Sequence, residues 1–529
     1  MPTPQIAPAP KPFADAYRAG ELSDLFPRPP GDLEGALSVP REVDRAGLAA
    51  ALRAGADRWG ARPAQRQALE RLAHPDSRVV VTGQQVGWLL GPTYTLSKAV
   101  TAVRLAHALD RPERPVVPVF WMATQDHDVA EIDHAWVLGR DERLHRLLLP
   151  LRPGPAVGRA ALDPAWIEAA LGHLRAIDLA DGHGGPHLPD VVALLEAAAA
   201  DAPRWSDAFA RLLTRLLGDQ GLIVLDPLDP DVARLWRPQL ERELDDPDAS
   251  AGHIRLGGAR LEARGFAAQL GRGEGASNLF VERPRGHTRE LLRRDGDGWR
   301  IGHGPVRRDD LRAWLDHDPS AVTPAAGLRP VLQDAVLPSA VFVVGPGELR
   351  YLAQLRGVYE QHGVPMPLVW PRASVTVLQP PVRRILERHG LDWREVQRDP
   401  PRAHCEVALR VHGHADAFAA ALAVVEREAA GLLERVDGID PTLERSVRKG
   451  RRHLDRTLVT LREKASHALS RRDDELRRQF GRLEAHLRPN GGLQERVLSP
   501  FTFFLTLGVD AVRDAFLTLP PEGDHGLTF

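Results

Sequence analysis

Val79, Val80 and Val81 make a continuous apolar run, the pattern of a strand buried on both faces. The residues from Thr95 to Leu109 then follow a helical period. Between the two lies a loop rich in glycine and glutamine, within RVVVTGQQVGWLLGPTYTLSK, Arg78 to Lys98. PVVPVFWMA, Pro115 to Ala123, predicts a second buried strand, Leu222 to Leu225 a third, and SAVFVVG, Ser339 to Gly345, a fourth. PGELRYLAQLRGVYEQHG after it reads as one helix closed by Gly363. Strands alternating with helices predict an α/β domain with a mainly parallel sheet. Residues from about 250 to 305, with SNLFVE and DGDGWRI, read as a small antiparallel addition, and AHCEVALRV around Cys405 alternates like a strand.

The last quarter changes period. Phe418, Leu422, Val425, Ala429, Leu432 and Val436 recur at spacings of four and three. The pattern resumes through Leu443, Val447, Leu454, Leu458, Leu461 and Ala465, then Leu476, Phe480, Leu483 and Leu487. Such a seam predicts an antiparallel helical hairpin of coiled-coil type. Gly438 is placed to stop its first helix, Asp440 to cap the second, and Pro441 to fill the second helix's first turn. Charged outer faces such as RRDDELRRQ read as solvated surface.

Composition narrows the classes. The 529 residues carry 69 basic and 71 acidic side chains, a balance with no electrostatic footprint for nucleic acid or an anionic membrane. MPTPQIAPAPKPF at the N-terminus lacks the apolar core of a signal peptide, and no run approaches the ~18 apolar residues of a membrane span. A cytoplasmic protein is the expectation. The single cysteine, Cys405, excludes an internal disulfide framework and a multi-cysteine zinc site. Of the 69 basic residues only Lys11, Lys98, Lys449 and Lys464 are lysines, leaving 65 arginines. Lysine is a compact point charge with a tunable pKa, so Lys98, alone beside the glycine-rich loop, points to a site a guanidinium would not fit.

The loop matches no common phosphate cradle. A P-loop needs a lysine and a hydroxyl directly after its last glycine, whereas Gly91 is followed by Pro92 and Thr93. Gly83, Gly87 and Gly91 are four apart, not the two and three of the dinucleotide fingerprint. What remains is a strand-to-helix loop at the carboxyl edge of a sheet, where open α/β sheets bind ligands and helix amides favour an anion. The second strand ends in TQDHDVAEIDH, with Asp126, His127, Asp128, Glu131, Asp133 and His134 close together. HExxH and paired-cysteine spacings are absent, which argues against a metal site. His127 between two aspartates is expected to favour its imidazolium, suited to acid–base work or amine recognition. The fourth strand delivers GPGE, Gly345 to Glu348, and then Tyr351 to the same edge.

VVTGQQVGWLLGPTYTLSK, PVFWMATQDHDVAEIDH, LQDAVLPSAVFVVGPGELRYLAQL, GVPMPLVWPR and LQERV together resemble the BshC family, the cysteine ligases of bacillithiol biosynthesis, in order from near Asp24 to about Asp514. The resemblance implies a Rossmann-like, nucleotidyltransferase-type core over 1–380, with insertions at about 140–210 and 250–320. It further implies a connector over 381–412, a C-terminal antiparallel coiled-coil hairpin over 413–488 that forms a homodimer, and a segment over 489–529 returning to the core. The implied reaction joins L-cysteine to glucosaminyl-malate by an amide bond, with ATP as activator and Mg2+ accompanying the nucleotide. On that reading Gln84, Gln85, Gly91, Tyr94 and Lys98 line the nucleotide or activated-cysteine side. Asp126, His127 and Asp128 orient the amine or accept its proton, and Gly345, Gly347, Glu348 and Tyr351 close the cleft. The first-helix segment GPTYTLSK lacks the histidine pair of related adenylating enzymes, and four lysines leave no lysine-rich loop. Adenylate and acyl-phosphate activation both stay open. A transferase of another small-molecule pathway would share the cleft; a non-enzymatic coiled-coil scaffold would leave its polar loops without a purpose.

Overall fold

The valine run is the middle of a parallel sheet, and alternate side chains feed two different apolar layers. Val79 and Val81 join Val117, Val119, Trp121, Ile223, Leu225 and Phe342 on one face. Val80 joins Val116, Val341 and Val343 on the other, under Ala102, Leu105 and Ala106 of the helix Tyr94–Leu109. Burial on both faces explains why these strands are apolar throughout rather than alternating. The structure, a computed structural model, describes residues 12–529 except 272, 274, 284–286, 297, 438, 441 and 442.

The strands of two five-stranded sheets are β1 (Arg78–Gln84), β2 (Val116–Met122), β3 (Ile223–Leu225), β4 (Ala276–Val281), β5 (Glu290–Asp295), β6 (Gly298–Ile301), β7 (Gly304–Val306), β8 (Val322–Pro324), β9 (Ser339–Val344) and β10 (Leu368–Pro371). The first sheet is wholly parallel, in the order β10-β9-β1-β2-β3. β10, from LVWP, is a strand the periodicity did not single out. The second sheet is antiparallel, in the order β8-β4-β5-β6-β7. It is the small addition expected near 250–305, but it starts only at Ala276, because residues 250–262 belong to the helix Pro247–Glu262. The helix expected after β9 is two, Pro346–Leu352 and Arg356–His362, the second ending at Gly363 with φ 66°.

The chain forms two compact units. One runs to Asp141, resumes over His145–Val375 and closes with Leu498–His525; the other comprises Glu142–Leu144, Thr376–Val497 and Gly526–Phe529. Within the second, the helices Ala415–Asp437 and Glu444–Ser470 pack against each other as the hairpin. Its seam deviates from the expected one at Leu432, Leu443, Leu454 and Leu461, which are exposed, while Leu433, beside Leu432, is partly buried. The second helix begins at Glu444 with Leu443, not Asp440, in the N-cap position; Gly438 and Pro441 lie outside the described residues. Leu476, Phe480, Leu483 and Leu487 do not extend the seam. Asp473 caps a new helix, Asp474–Leu487, whose apolar face packs with Val382, Ile385, Leu386, Val396 and Val407. Cys405 is helical, not in a strand: Asp399 caps Pro400–Val411, and Ala403, Val407 and Ala408 bury one face of that helix.

Candidate functional site

In the sheet β1 is followed by β2 and then β3 on one side, and by β9 and then β10 on the other. The strand order therefore reverses between β1 and β9, and the crevice beyond their carboxyl ends is where doubly wound sheets bind ligands. Lys98, in the first turns of the helix after β1, fills this position. Its Nζ donates to the Gly83 carbonyl and to Gln84 Oε1, each at 2.9 Å, and forms an ion pair with Glu348. All three ammonium protons are thus engaged. Glu348 also accepts from the Gly345 amide at 2.7 Å, which ties the start of the helix Pro346–Leu352 to the pair. Burial pulls Lys98 below the ordinary lysine range, and Glu348 opposes that pull.

The two glutamines at the end of β1 reach different groups. Gln84 Nε2 donates to the Tyr94 hydroxyl at 3.2 Å, and the Arg372 guanidinium lies 5.4 Å from the Tyr94 ring centroid. Gln85 Nε2 donates to Asp126 Oδ2 at 2.9 Å. Asp126 Oδ1 accepts from the His127 amide at 2.7 Å. Asp128 is exposed and caps the turn at Ala130, its Oδ1 3.1 Å from that amide. Tyr351 accepts from Arg329 at 3.1 Å; burial lifts its phenol above the ordinary range while Arg329 opposes the rise. Gly347 is exposed with open space around it.

The glycine-rich loop behaves differently from a phosphate cradle. Gly83 lies inside β1, where a Cβ would come within 2.8 Å of the Trp121 carbonyl oxygen on the neighbouring strand. Gly91, at φ 63° and ψ −152°, packs against Gly87, and Leu89 and Leu90 before it also have positive φ. This knot is buried, and four of its amides are spent on the protein: Gly87 on Gln85, Trp88 on Ile132, Gly91 on Trp88, and Thr93 on Leu498. Ser499 donates to the Leu89 carbonyl at 2.8 Å. The loop holds its own chain, and the cleft is served by the side chains at its two ends. Unmet polarity does remain beside it: Gln85 Oε1 and both amide atoms of Gln125 are buried with no hydrogen-bond partner among the described residues.

His127 departs from expectation. Its imidazole is held below the ordinary histidine range, first by desolvation and then by Arg289, against the pull of Asp126 and Asp128. Arg289 NH1 stands 2.9 Å from His127 Nδ1, so the imidazolium is disfavoured. Arg289, Arg329 and Arg372 were not legible in the sequence, since 65 arginines offer no contrast by residue type.

With this geometry established, comparison with known proteins decides the family. The model for the bacillithiol biosynthesis BshC N-terminal Rossmann-like domain matches residues 32–373, and that for the BshC C-terminal coiled-coil domain matches 375–526. The chain belongs to the BshC family. A Thermus thermophilus relative named "Putative cysteine ligase BshC" is 40% identical over 84% of this chain and 87% of its own length. BshC proteins of the same name from Salinibacter ruber and Symbiobacterium thermophilum are 35% and 33% identical, each over 90% of this chain and 88% of their own. The Rossmann-like and coiled-coil assignments of the sequence stand, and so does the assignment to the ligases. Among the described residues no helix is long and apolar enough to cross a membrane.

Proposed function

We propose that this protein joins L-cysteine to glucosaminyl-malate in the final step toward bacillithiol, forming an amide between the cysteine carboxyl and the sugar amine. The observation that carries the reading is the divergence of Gln84 and Gln85 at the switch point of a BshC-family chain. One side chain contacts the Lys98–Tyr94 group and the other the Asp126–His127 group. A cation-bearing half suits an anionic, activated acyl group, and a carboxylate-bearing half suits an incoming amine.

A free carboxylate is a poor acyl donor, and ATP with Mg2+ would supply its leaving group. Because the amides of Gly87, Trp88, Gly91 and Thr93 are committed within the chain, Gln84, Tyr94 and Lys98 are the groups to hold that side, with Glu348 yielding Lys98 to the incoming anion. In the bond-forming step the amine nitrogen bonds to the acyl carbon, and the bond to the leaving oxygen breaks with its electron pair. The ammonium proton passes to a carboxylate of Asp126 or Asp128. The reading includes a homodimer through the hairpin, supported by Leu432, Leu454, Val459 and Leu461, which are left exposed on its helices.

The test is incubation of the purified protein with L-cysteine, glucosaminyl-malate and MgATP, with mass-spectrometric detection of bacillithiol and of ADP or AMP. Product with ADP indicates an acyl phosphate, and product with AMP an adenylate. No product, with a nucleotide or amino acid still raising the melting temperature, would assign the cleft to another pathway. No product and no thermal shift would leave a scaffold.

A further inference from the structure

We infer that Arg289, carried by the antiparallel insertion, is a positioning residue that fixes His127 as a neutral imidazole with its proton on Nε2, so that His127 serves the ligation as a hydrogen-bond donor and not as a base. A guanidinium has five N–H donors and no acceptor. Its approach to His127 Nδ1 at 2.9 Å therefore requires a lone pair on Nδ1, which places the proton of a neutral ring on Nε2.

The insertion is built to hold this arrangement. Arg289 is 5% exposed and two further donors are fixed: Nε to Thr323 Oγ1 at 2.8 Å and NH2 to the Pro324 carbonyl at 2.7 Å, both on β8. The guanidinium carbon lies 4.0 Å from the ring centroid of Phe280 on β4, and Phe280 is paired with Thr323 across the sheet. The same phenylalanine ring lies 5.3 Å from the His127 imidazole. Among the described residues the charged groups facing His127 are Arg289, Asp126 and Asp128; Asp126 Oδ1 is 3.6 Å from Nδ1 and 3.9 Å from Arg289 NH1. Desolvation and Arg289 together outweigh the two carboxylates, in agreement with the geometry. The antiparallel sheet thus brings a buried cation to a histidine at the end of β2, which gives the insertion a part in the chemistry.

The inference rests on the ligase reading for what the donor does. As the amine attacks, the carbonyl oxygen gains negative charge, and a neutral Nε2–H directed at it stabilises that charge without giving up its proton. The proton lost by the amine then goes to one of the flanking aspartates.

The test uses the full-length protein labelled with 15N-histidine, the His127 signals being assigned by their loss in His127→Gln. At neutral pH, long-range proton–nitrogen correlations are expected to show Nδ1 unprotonated and Nε2 protonated. That pattern should survive in Arg289→Lys, which keeps a donor, and be lost in Arg289→Met. In the cysteine-ligation assay, His127→Gln, whose amide can donate from the Nε2 position, should stay within about tenfold of wild type. His127→Ala should fall about 100-fold or more. A proton on Nδ1, or an imidazolium at pH 7, in the wild-type protein overturns the inference, as does equal loss in the two His127 variants. A wild-type protein that shows the tautomer but makes no bacillithiol would overturn the ligase reading and leave the Arg289–His127 lock intact.

Discussion

The ammonium of Lys98 and the carboxylate of Glu348 form an ion pair across the point where the strand order reverses, the lysine side chain 3% exposed and the glutamate 21%. The lysine is buried, with the backbone of Gly345 packed close to it: a Cβ there would stand in contact with Lys98 Cε at 3.8 Å. A guanidinium needs more width and cannot reproduce the three-way contact to Gly83, Gln84 and Glu348. Lys98→Arg should therefore lose most ligase activity, nearly as much as Lys98→Ala, roughly 30- to 1000-fold. Glu348→Ala leaves a buried ammonium uncompensated and should destabilise the fold by about 3–5 kcal/mol. Cysteine addition to glucosaminyl-malate and urea unfolding check the two effects, and near wild-type activity of Lys98→Arg would remove Lys98 from the site.

The parts of this molecule legible in its sequence are those with a strong local pattern. Val79–Val81, Val116–Met122 and Ser339–Val344 read as buried strands, and the carboxyl-edge position of Gln84, Lys98, Asp126 and Glu348 followed from them. Around Cys405 a short alternation masks Asp399-Pro400-Pro401, which is a helix start. The protonation of His127 escapes the sequence for a different reason. Its two aspartates are neighbours along the chain, whereas Arg289 arrives from 162 residues away. Long-range electrostatics leaves no local trace.

Cys405 is 8% exposed, on a helix of the second unit, with its Sγ 3.7 Å from the Arg462 carbonyl oxygen. It belongs to a packed helical surface, where a buried thiol serves as a small apolar group. Cys405→Ser should keep bacillithiol formation and cost about 1 kcal/mol of stability. Loss of activity with an unchanged melting curve would place the thiol in the chemistry.

Leu458 and Leu461 separate the hairpin from the dimer. Leu458 is partly buried, whereas Leu454 and Leu461, seven residues apart on the same helix, are each 51% exposed. Leu458→Asp should lower the hairpin's own stability and with it the dimer, since a buried unpaired carboxylate costs several kcal/mol. Leu461→Asp should weaken the dimer while leaving the helical signal and its melting unchanged. Sedimentation at low micromolar concentration with circular dichroism distinguishes them, and an unchanged sedimentation profile for both variants contradicts dimerisation through the hairpin.

His486 gives the second unit an acid sensitivity that can be measured apart from catalysis. It is 6% exposed on the helix Asp474–Leu487, its Nδ1 lacks a hydrogen-bond partner among the described residues, and burial with Arg482 nearby lowers its pKa from 6.5 to about 4. Below pH 6.5 the unfolded chain takes up a proton that the folded chain refuses until about pH 4, so this group's contribution to stability falls as the pH drops through that window. At pH 5 the loss is about 2 kcal/mol relative to pH 8, rising to about 3 kcal/mol at the lower end of the window. His486→Leu removes the titration while filling a similar volume, so its stability should change less between pH 8 and pH 5 than that of wild type by that amount. Urea midpoints of the two proteins at both pH values provide the check, and parallel pH dependence would mean that His486 takes up its proton as readily in the folded protein as in water.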